Sequence, residues 1–338
     1  MIRKFYLAAA LTFFGVTLGF GVEPTFPDLK VLPWNGYKAA TSLTFDDSDP
    51  SHLDVAVPEL NQRKMKGTFY LIANRTDRKD DWRKLLTAGH ELGNHTLDHK
   101  HTNELTPKDE EAQVVGAQNV LQKEFGVPVL TFAYPFTEIS PGLTKWLTKT
   151  HLLARGGYGN GNYVNKPDVE PDWLNISARA TMTDLKFEAY KSWIDEDVAG
   201  GGWLVWMIHG LEGTQWGWQP IQKKVFTQIL DYLQKQDIWV GTFLEVGSYF
   251  RAQREFEKVV PQVNGKNKSW NWKVPNVFPA KVQIKVKLVS GQNDSKGFEI
   301  WQGKQKITPD EKGLFSISFD QKELSLKPAA VSNAGSVK

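Results

Sequence analysis

Residues 40–47 read Ala40-Thr41-Ser42-Leu43-Thr44-Phe45-Asp46-Asp47. An apolar and β-branched run ends here on two adjacent carboxylates. Such a run reads as a buried strand, and in an α/β fold the carboxyl end of a strand is where sites are built. Neighbours on a strand point to opposite faces, but at its end the chain can turn both toward one cavity. Two acidic groups placed there can divide the work, one binding a cation while the other stays free as a base. Further on, His95-Thr96-Leu97-Asp98-His99 spaces two imidazoles four residues apart, which on a helical turn puts both on one side. Two histidines and one carboxylate leave positions open for water and substrate, as a catalytic zinc site requires. Neither half is specific alone, because adjacent Asp residues are common at turns and HxxxH is common on solvated helix faces. Order and placement together give them weight.

Working outward, strand-like and helix-like segments alternate from about residue 38 to 256. Strands are expected at Ala40–Asp46, Gly67–Ile72, His90–His95, Val129–Tyr134, Leu152–Arg155, Asn175–Thr181, Trp203–Ile208 and Ile238–Phe243. Thr106-Pro107-Lys108-Asp109 reads as a capping box with Pro at the first helical position, and Gly126 closes that helix. Ser140-Pro141 opens another. Ile221, Val225, Ile229 and Leu233 form one apolar stripe. Regular alternation implies parallel strands with crossover helices, hence an α/β (β/α) barrel of seven or eight strands. After Val260 the pattern changes. Residues 259–278, rich in Pro, Asn and Lys, read as a linker. Val282, Ile284, Val286 and Leu288 then alternate with polar residues and begin a small C-terminal all-β module over 279–328. A disordered tail is expected over 329–338. The barrel domain would span 22–258.

Residues 1–21 carry Arg3 and Lys4, then an apolar run from Phe5 to Phe20. This is the layout of a signal peptide, cleaved after Gly21, and it implies a secreted or periplasmic protein with no membrane span after cleavage. The chain of 338 residues has no cysteine, which excludes disulfides and thiolate metal sites. A formal net charge of +3 gives no reason to expect nucleic acid as a partner. Thirteen tryptophans mostly fill a core, yet an exposed one can stack on a sugar ring.

The separated motifs resemble the polysaccharide deacetylase family, the NodB-homology domain of carbohydrate esterase family four, over about residues 38–250. The first motif stands as Thr44-Phe45-Asp46-Asp47. The second is Asn94-His95-Thr96-Leu97-Asp98-His99, after Gly89-His90-Glu91-Leu92-Gly93. The third is Phe132-Ala133-Tyr134-Pro135-Phe136, and the fifth is Val205-Trp206-Met207-Ile208-His209-Gly210. Trp239-Val240-Gly241-Thr242-Phe243 is similar to the family's last strand. The resemblance implies a distorted barrel, a divalent metal and removal of N- or O-acetyl groups from a polysaccharide. Carried over by position, Asp47, His95 and His99 would hold the metal, zinc first with cobalt, manganese or nickel as alternatives. Asp46 would be the base and His209 the general acid, and the backbone N–H of Phe136 would help bind the oxyanion. Tyr134, Trp206, Trp216 and Trp218 are the expected substrate contacts, and an acetylated polysaccharide or oligosaccharide is the expected partner.

Two departures stand out. The family's third motif often begins with an Arg that pairs with the base, and here that place is Ala133; Arg179 and Arg155 are candidates to replace it. The fourth motif, an acidic partner for the acid His, has Asp172-Trp173 as its nearest match. His90 and His101 read as structural, Asp98 as solvent-facing or orienting one imidazole, and His52 as incidental. Two competing readings are a carbohydrate-binding protein whose barrel has lost catalysis, and a non-haem iron oxygenase, since two His and a carboxylate also make that site.

Overall fold

The computed structural model describes residues 26–157, 165–212, 217–289 and 297–329. Residues 1–21, expected as a signal peptide, lie outside the described residues, as does all but the first residue of the expected tail.

Strand β2, Ala39–Phe45, is buried along its whole length and sits at the centre of a parallel sheet. It follows β1 (Asp28–Val31) and is flanked by β3 (Gly67–Leu71) and β8 (Trp203–Ile208). Beyond β3 come β4 (Glu91–Asn94), β5 (Thr131–Ala133) and β6 (Leu153–Arg155), and beyond β8 comes β7 (Arg179–Ala180). The short β9 (Ile238–Val240) pairs with the first half of β2, in line with β3, which pairs with the second half. The ring closes through residues 173–178. Ile176 N–H donates to Ala154 O and Gly156 N–H to Ile176 O, so the chain entering β7 lies against β6. The expected strand over 175–181 is therefore real pairing, split between two neighbours. This is a distorted barrel of seven parallel strands, with β9 wedged in as an eighth.

Strand alternation sorts the core. On β8, Leu204, Trp206 and Ile208 face the surrounding helices, packing with Phe69, Leu121, Ile194, Phe226 and Leu230. Trp203, Val205 and Met207 face inward with Tyr70, Ala133, Ile176 and Phe243. The inward Tyr70 ring needs Gly93 beside it, since a Cβ there would lie 2.4 Å from the ring. The helices begin where their caps require. Thr106 and Asp109 form a reciprocal capping box on the helix Pro107–Glu111. Gly126 ends the helix Ala117–Phe125 in the left-handed conformation at φ 69°. Ser140 accepts from Leu143 N–H at the start of the helix Pro141–Thr150. Each of the two N-caps is worth about 1 kcal/mol.

Residues 259–278 differ from the linker expected there. Gln262–Asn264 (β10) and Asn267–Asn271 (β11) form an antiparallel hairpin that turns at Gly265 (φ 58°). The hairpin joins a five-stranded sheet with β13 (Phe298–Gln302), β14 (Gln305–Ile307) and β16 (Glu323–Pro328). A second sheet pairs β1 with β12 (Gln283–Val289) and β15 (Phe315–Ser318). Strand β1 thus joins the C-terminal sheets although it lies at the other end of the described chain. Both sheets share a core of Trp270, Trp272, Ile284, Val286, Ile317, Phe319 and Leu326. Tyr249, Ala252 and Phe256 of the helix Phe243–Glu257 complete that core, so the module packs on the barrel.

Candidate metal centre

Directly after Phe45 the chain leaves the sheet through Asp46 and then enters left-handed backbone at Asp47 (φ 78°) and Ser48 (φ 57°). Asp tolerates this region better than most residues. The turn brings both carboxylates to one cavity. His95 follows the last residue of β4, and the loop to His99 is not a helical turn, since Thr96 (φ 66°) and His99 (φ 58°) are both left-handed. The side chains of Asn94 and Thr96 hold it instead. Thr96 N–H donates to Asn94 Oδ1 at 2.9 Å, and His99 N–H donates to Thr96 Oγ1 at 3.0 Å. Two imidazoles still converge, by a different geometry from the helical one expected.

Asp47 Oδ1 lies 3.3 Å from His95 Nε2 and 3.2 Å from His99 Nε2. One ligand atom from each of the three residues falls within 4.8 Å of the others. His95 donates its Nδ1 proton to Ala133 O at 2.8 Å, which turns Nε2 toward the carboxylate. That approach is attractive when a proton on Nε2 or a metal cation lies between the two. Without a metal, burial acts to lower the His95 pKa, but the bond to Asp47 outweighs it and raises it. The donor set, one oxygen and two nitrogens, suits zinc and its first-row neighbours. Burial acts to raise the Asp47 carboxyl, but the His95 and His99 imidazoles outweigh it and hold the group well below the usual carboxylate range. Asp47 is therefore ionised, as a ligand must be.

Asp46 has a different environment. It is 2 % exposed, and its Oδ2 accepts a hydrogen bond from Arg155 Nη2 of β6, itself 1 % exposed. Arg155 is thus the partner that Ala133 cannot be, and its guanidinium also lies 5.5 Å from the Tyr70 ring. Arg179 pairs with Glu196 and stacks on Trp193, away from Asp46. Asp46 Oδ1 is buried with no hydrogen-bond partner among the described residues, an acceptor left for a ligand. His209, just past β8, places Nε2 3.8 Å from Asp46 Oδ2. Burial pushes its pKa down, against the pull of Asp46 and Asp47. Its Nδ1 is buried and unpartnered among the described residues. Asp172 accepts from Leu174 N–H, and Trp173 packs on Phe250, so the fourth-motif candidate belongs to the β6–β7 connection.

The cavity over these groups is about 370 Å³ and is lined also by Tyr134, Phe136, Thr137, Met207 and Trp218. Phe136 and Thr137 are left-handed at φ 54° and 59°, a strained turn of the kind active sites sustain. The Phe136 ring stacks on His101 and meets His99 edge-on. Trp218, 45 % exposed, sits edge-on to His209 at 4.9 Å. Gly217 permits that placement, because a Cβ there would fall 2.4 Å from Gly210 Cα.

Trp206, expected as a substrate contact, does not face the cavity. It is fully buried against Tyr190 and Trp193, with Nε1 donating to Thr41 Oγ1. Strand alternation gives the inward place to Met207. Trp216 lies outside the described residues. Asp98 is tied to Asn74 and Gln113 rather than to an imidazole, and His90 bridges Gly67 N–H and Asn61. His101 pairs with Glu138.

A family model described as polysaccharide deacetylase matches residues 35–152, the segment that holds Asp46, Asp47, His95 and His99. A peptidoglycan-N-acetylglucosamine deacetylase of Bacillus cereus is 26 % identical over 148 residues, 43 % of this chain and 50 % of that protein. A gellan lyase of a Bacillus species is 24 % identical over 268 residues, 72 % of this chain and 11 % of that protein. The chain thus spans about a tenth of one of these relatives and half of the other. A solved putative polysaccharide deacetylase from Mycobacterium smegmatis is similar over 69 % of this chain and 95 % of that one, with a TM-score of 0.50 and 16 % identity. That likeness shows the fold.

Proposed function

We propose that the polysaccharide deacetylase domain carried by this chain is a metal-dependent hydrolase that removes acetyl groups from a sugar polymer. The observation that carries the reading is the convergence of Asp47, His95 and His99 on one point, beside a second carboxylate held by Arg155 and faced by His209. When bound, a divalent ion supplies Lewis-acid polarisation and lowers the pKa of a water from about 16 to about 7. Asp46, oriented through Arg155, accepts the proton that the attacking water gives up. His209, whose Nε2 faces the same Asp46 Oδ2 as Arg155, donates a proton to the departing amine or sugar alkoxide. A positioned acid or base contributes about 10²–10⁴-fold. The Phe136 N–H adds a donor for the developing oxyanion. Burial pushes the Tyr134 phenol up to about 12, so it faces the acetyl pocket as a neutral group. Trp218 offers a ring for the sugar.

Zinc is the ion we favour. The substrate classes that suit the site are N-acetylglucosamine polymers, as in chitin or peptidoglycan, and O-acetylated xylan. A secreted or periplasmic location belongs to the same proposal and rests on the leader-like residues 1–21. Among the described residues no helix is long and apolar enough to cross a membrane.

The reading of a catalytically lost barrel rests on Ala133 standing where an Arg is expected and on the appended β module. Arg155 makes the bond that Arg would have made, which weakens the case for it. Measuring acetate release from the three polymers, with and without zinc, cobalt or manganese, decides between them. Acetate from at least one polymer, abolished by chelation, supports the hydrolase. Binding without acetate under every metal overturns it.

A further inference from the structure

We propose that Ser51 and His52 are positioning residues for His209, so that the segment following the two Asp residues aims the general acid. The inference rests on His209 having that role in the proposed function. The imidazole of His209 has no hydrogen bond of its own among the described residues: Nδ1 is unpartnered and Nε2 is 3.8 Å from Asp46. A catalytic histidine is ordinarily oriented through its second nitrogen. Here the orientation falls to the backbone, with the Trp218 ring edge-on beside it.

Four bonds hold that backbone, one of them from Ile221 N–H to Gly210 O at 3.0 Å. Asp46 N–H donates to Ile208 O at 2.9 Å, continuing the β2–β8 pairing. His52 Nε2–H donates to His209 O at 2.6 Å. Leu211 N–H donates to Ser51 Oγ at 2.9 Å, and Ser51 Oγ–H donates to Asp49 Oδ1 at 2.6 Å. Residues 49–52 therefore bracket the peptides on both sides of Gly210, a residue that by itself leaves the chain free to swing.

Packing alone does not account for a histidine at position 52. Its ring is fully buried between Phe45 and Phe69, at 5.3 and 5.8 Å, and its Nδ1 has no partner among the described residues. An unpaired polar atom in such a place costs stability that a Phe would not. The return lies in the bond to His209 O.

A change of leaving group tests this. An N-acetyl sugar oligomer needs a proton at its departing amine, whereas an aryl acetate departs as a stable phenolate and does not. His52→Phe is expected to lower kcat on the oligomer about 10–100-fold, as small misplacements of a catalytic group do, with KM unchanged. On the aryl acetate the change should stay within about twofold. Tm should stay within a few degrees of wild type, since the change removes the unpaired Nδ1 but also the donor to His209 O. His52→Gln, whose amide N–H reaches a similar place, should recover most of the loss. His52→Phe added to His209→Ala should cost nothing more. Should His52→Phe not fold, Ser51→Ala is read with the same two substrates and the same expected contrast. Equal losses on both substrates, or no loss on the oligomer, overturn the inference while leaving the deacetylase reading intact. A wild-type protein that releases acetate from neither substrate overturns that reading, and this inference with it.

Discussion

Arg155 donates to the carboxylate of Asp46 across the barrel interior, from the end of β6 to the end of β2, with both side chains almost wholly buried. Removing the guanidinium leaves an uncompensated buried carboxylate, a change that typically costs about 3–5 kcal/mol. Arg155→Met should therefore both destabilise the fold and lower kcat, since the proposed base loses its orientation. Arg155→Lys keeps the charge but not the planar donor, and should retain most of the stability with a reduced kcat. Urea unfolding and acetate release on the same preparations check this pair.

His99 is one of the three residues that could hold a metal ion and is only partly buried, so its loss should leave the fold nearly unchanged. His99→Ala should bind metal far more weakly and release no acetate at stoichiometric zinc, with Tm of the metal-free protein within a few degrees of wild type. Metal analysis after gel filtration reads the first effect. Undiminished metal content would exclude His99 as a ligand.

Trp218 offers an exposed ring beside His209. A ring of this kind contributes about 0.5–1.5 kcal/mol through its face. Trp218→Ala should raise KM about two- to tenfold on an oligosaccharide and leave KM for a small acetate ester unchanged. Steady-state kinetics with both substrates separates stacking from a general disturbance of the loop.

Asp197, buried on the helix Phe187–Gly200, has its carboxyl pushed up to about 8, chiefly by burial. The folded protein therefore keeps this proton up to about pH 8, while the unfolded chain releases it near 3.8. Stability is lost as pH rises between those values, at about 1.4 kcal/mol per pH unit. His151 works in the other direction. Burial lowers its pKa to about 3, so the unfolded chain takes up a proton below about 6.5 that the folded one refuses, and stability falls with falling pH. Asp197→Asn should be more stable than wild type at pH 8 and should flatten the alkaline side of the profile. Urea midpoints at pH 5, 6.5 and 8 show it.

Much of this was legible along the chain because it is local. The run into Asp46 and Asp47, the Thr106–Asp109 cap and the alternation on β12 each depend on residues within a few positions of one another. What escaped was either long-range or a local signal given too little weight. Nothing in the sequence links Arg155 to Asp46, 109 positions away, and no spacing could have chosen it over Arg179. His52 looked incidental because its partner is 157 positions distant. Other signals were present. Asn94 and Thr96 compete for backbone N–H groups and argue against a helix through His95–His99. Asn264-Gly265 is a hairpin signature inside the supposed linker. The period of two on β8 already sends Trp206 outward once Met207 faces in.

The proposed function gives the neighbours Asp46 and Asp47 different work, and the most direct measurement separates them. Asp46→Asn, assayed for bound zinc and for acetate release on one preparation, should hold one zinc per chain and release no acetate, because it removes the base and leaves the ligands in place. Loss of zinc from that variant, or acetate release at the wild-type rate, would contradict the assignment of the two carboxylates on which the rest depends.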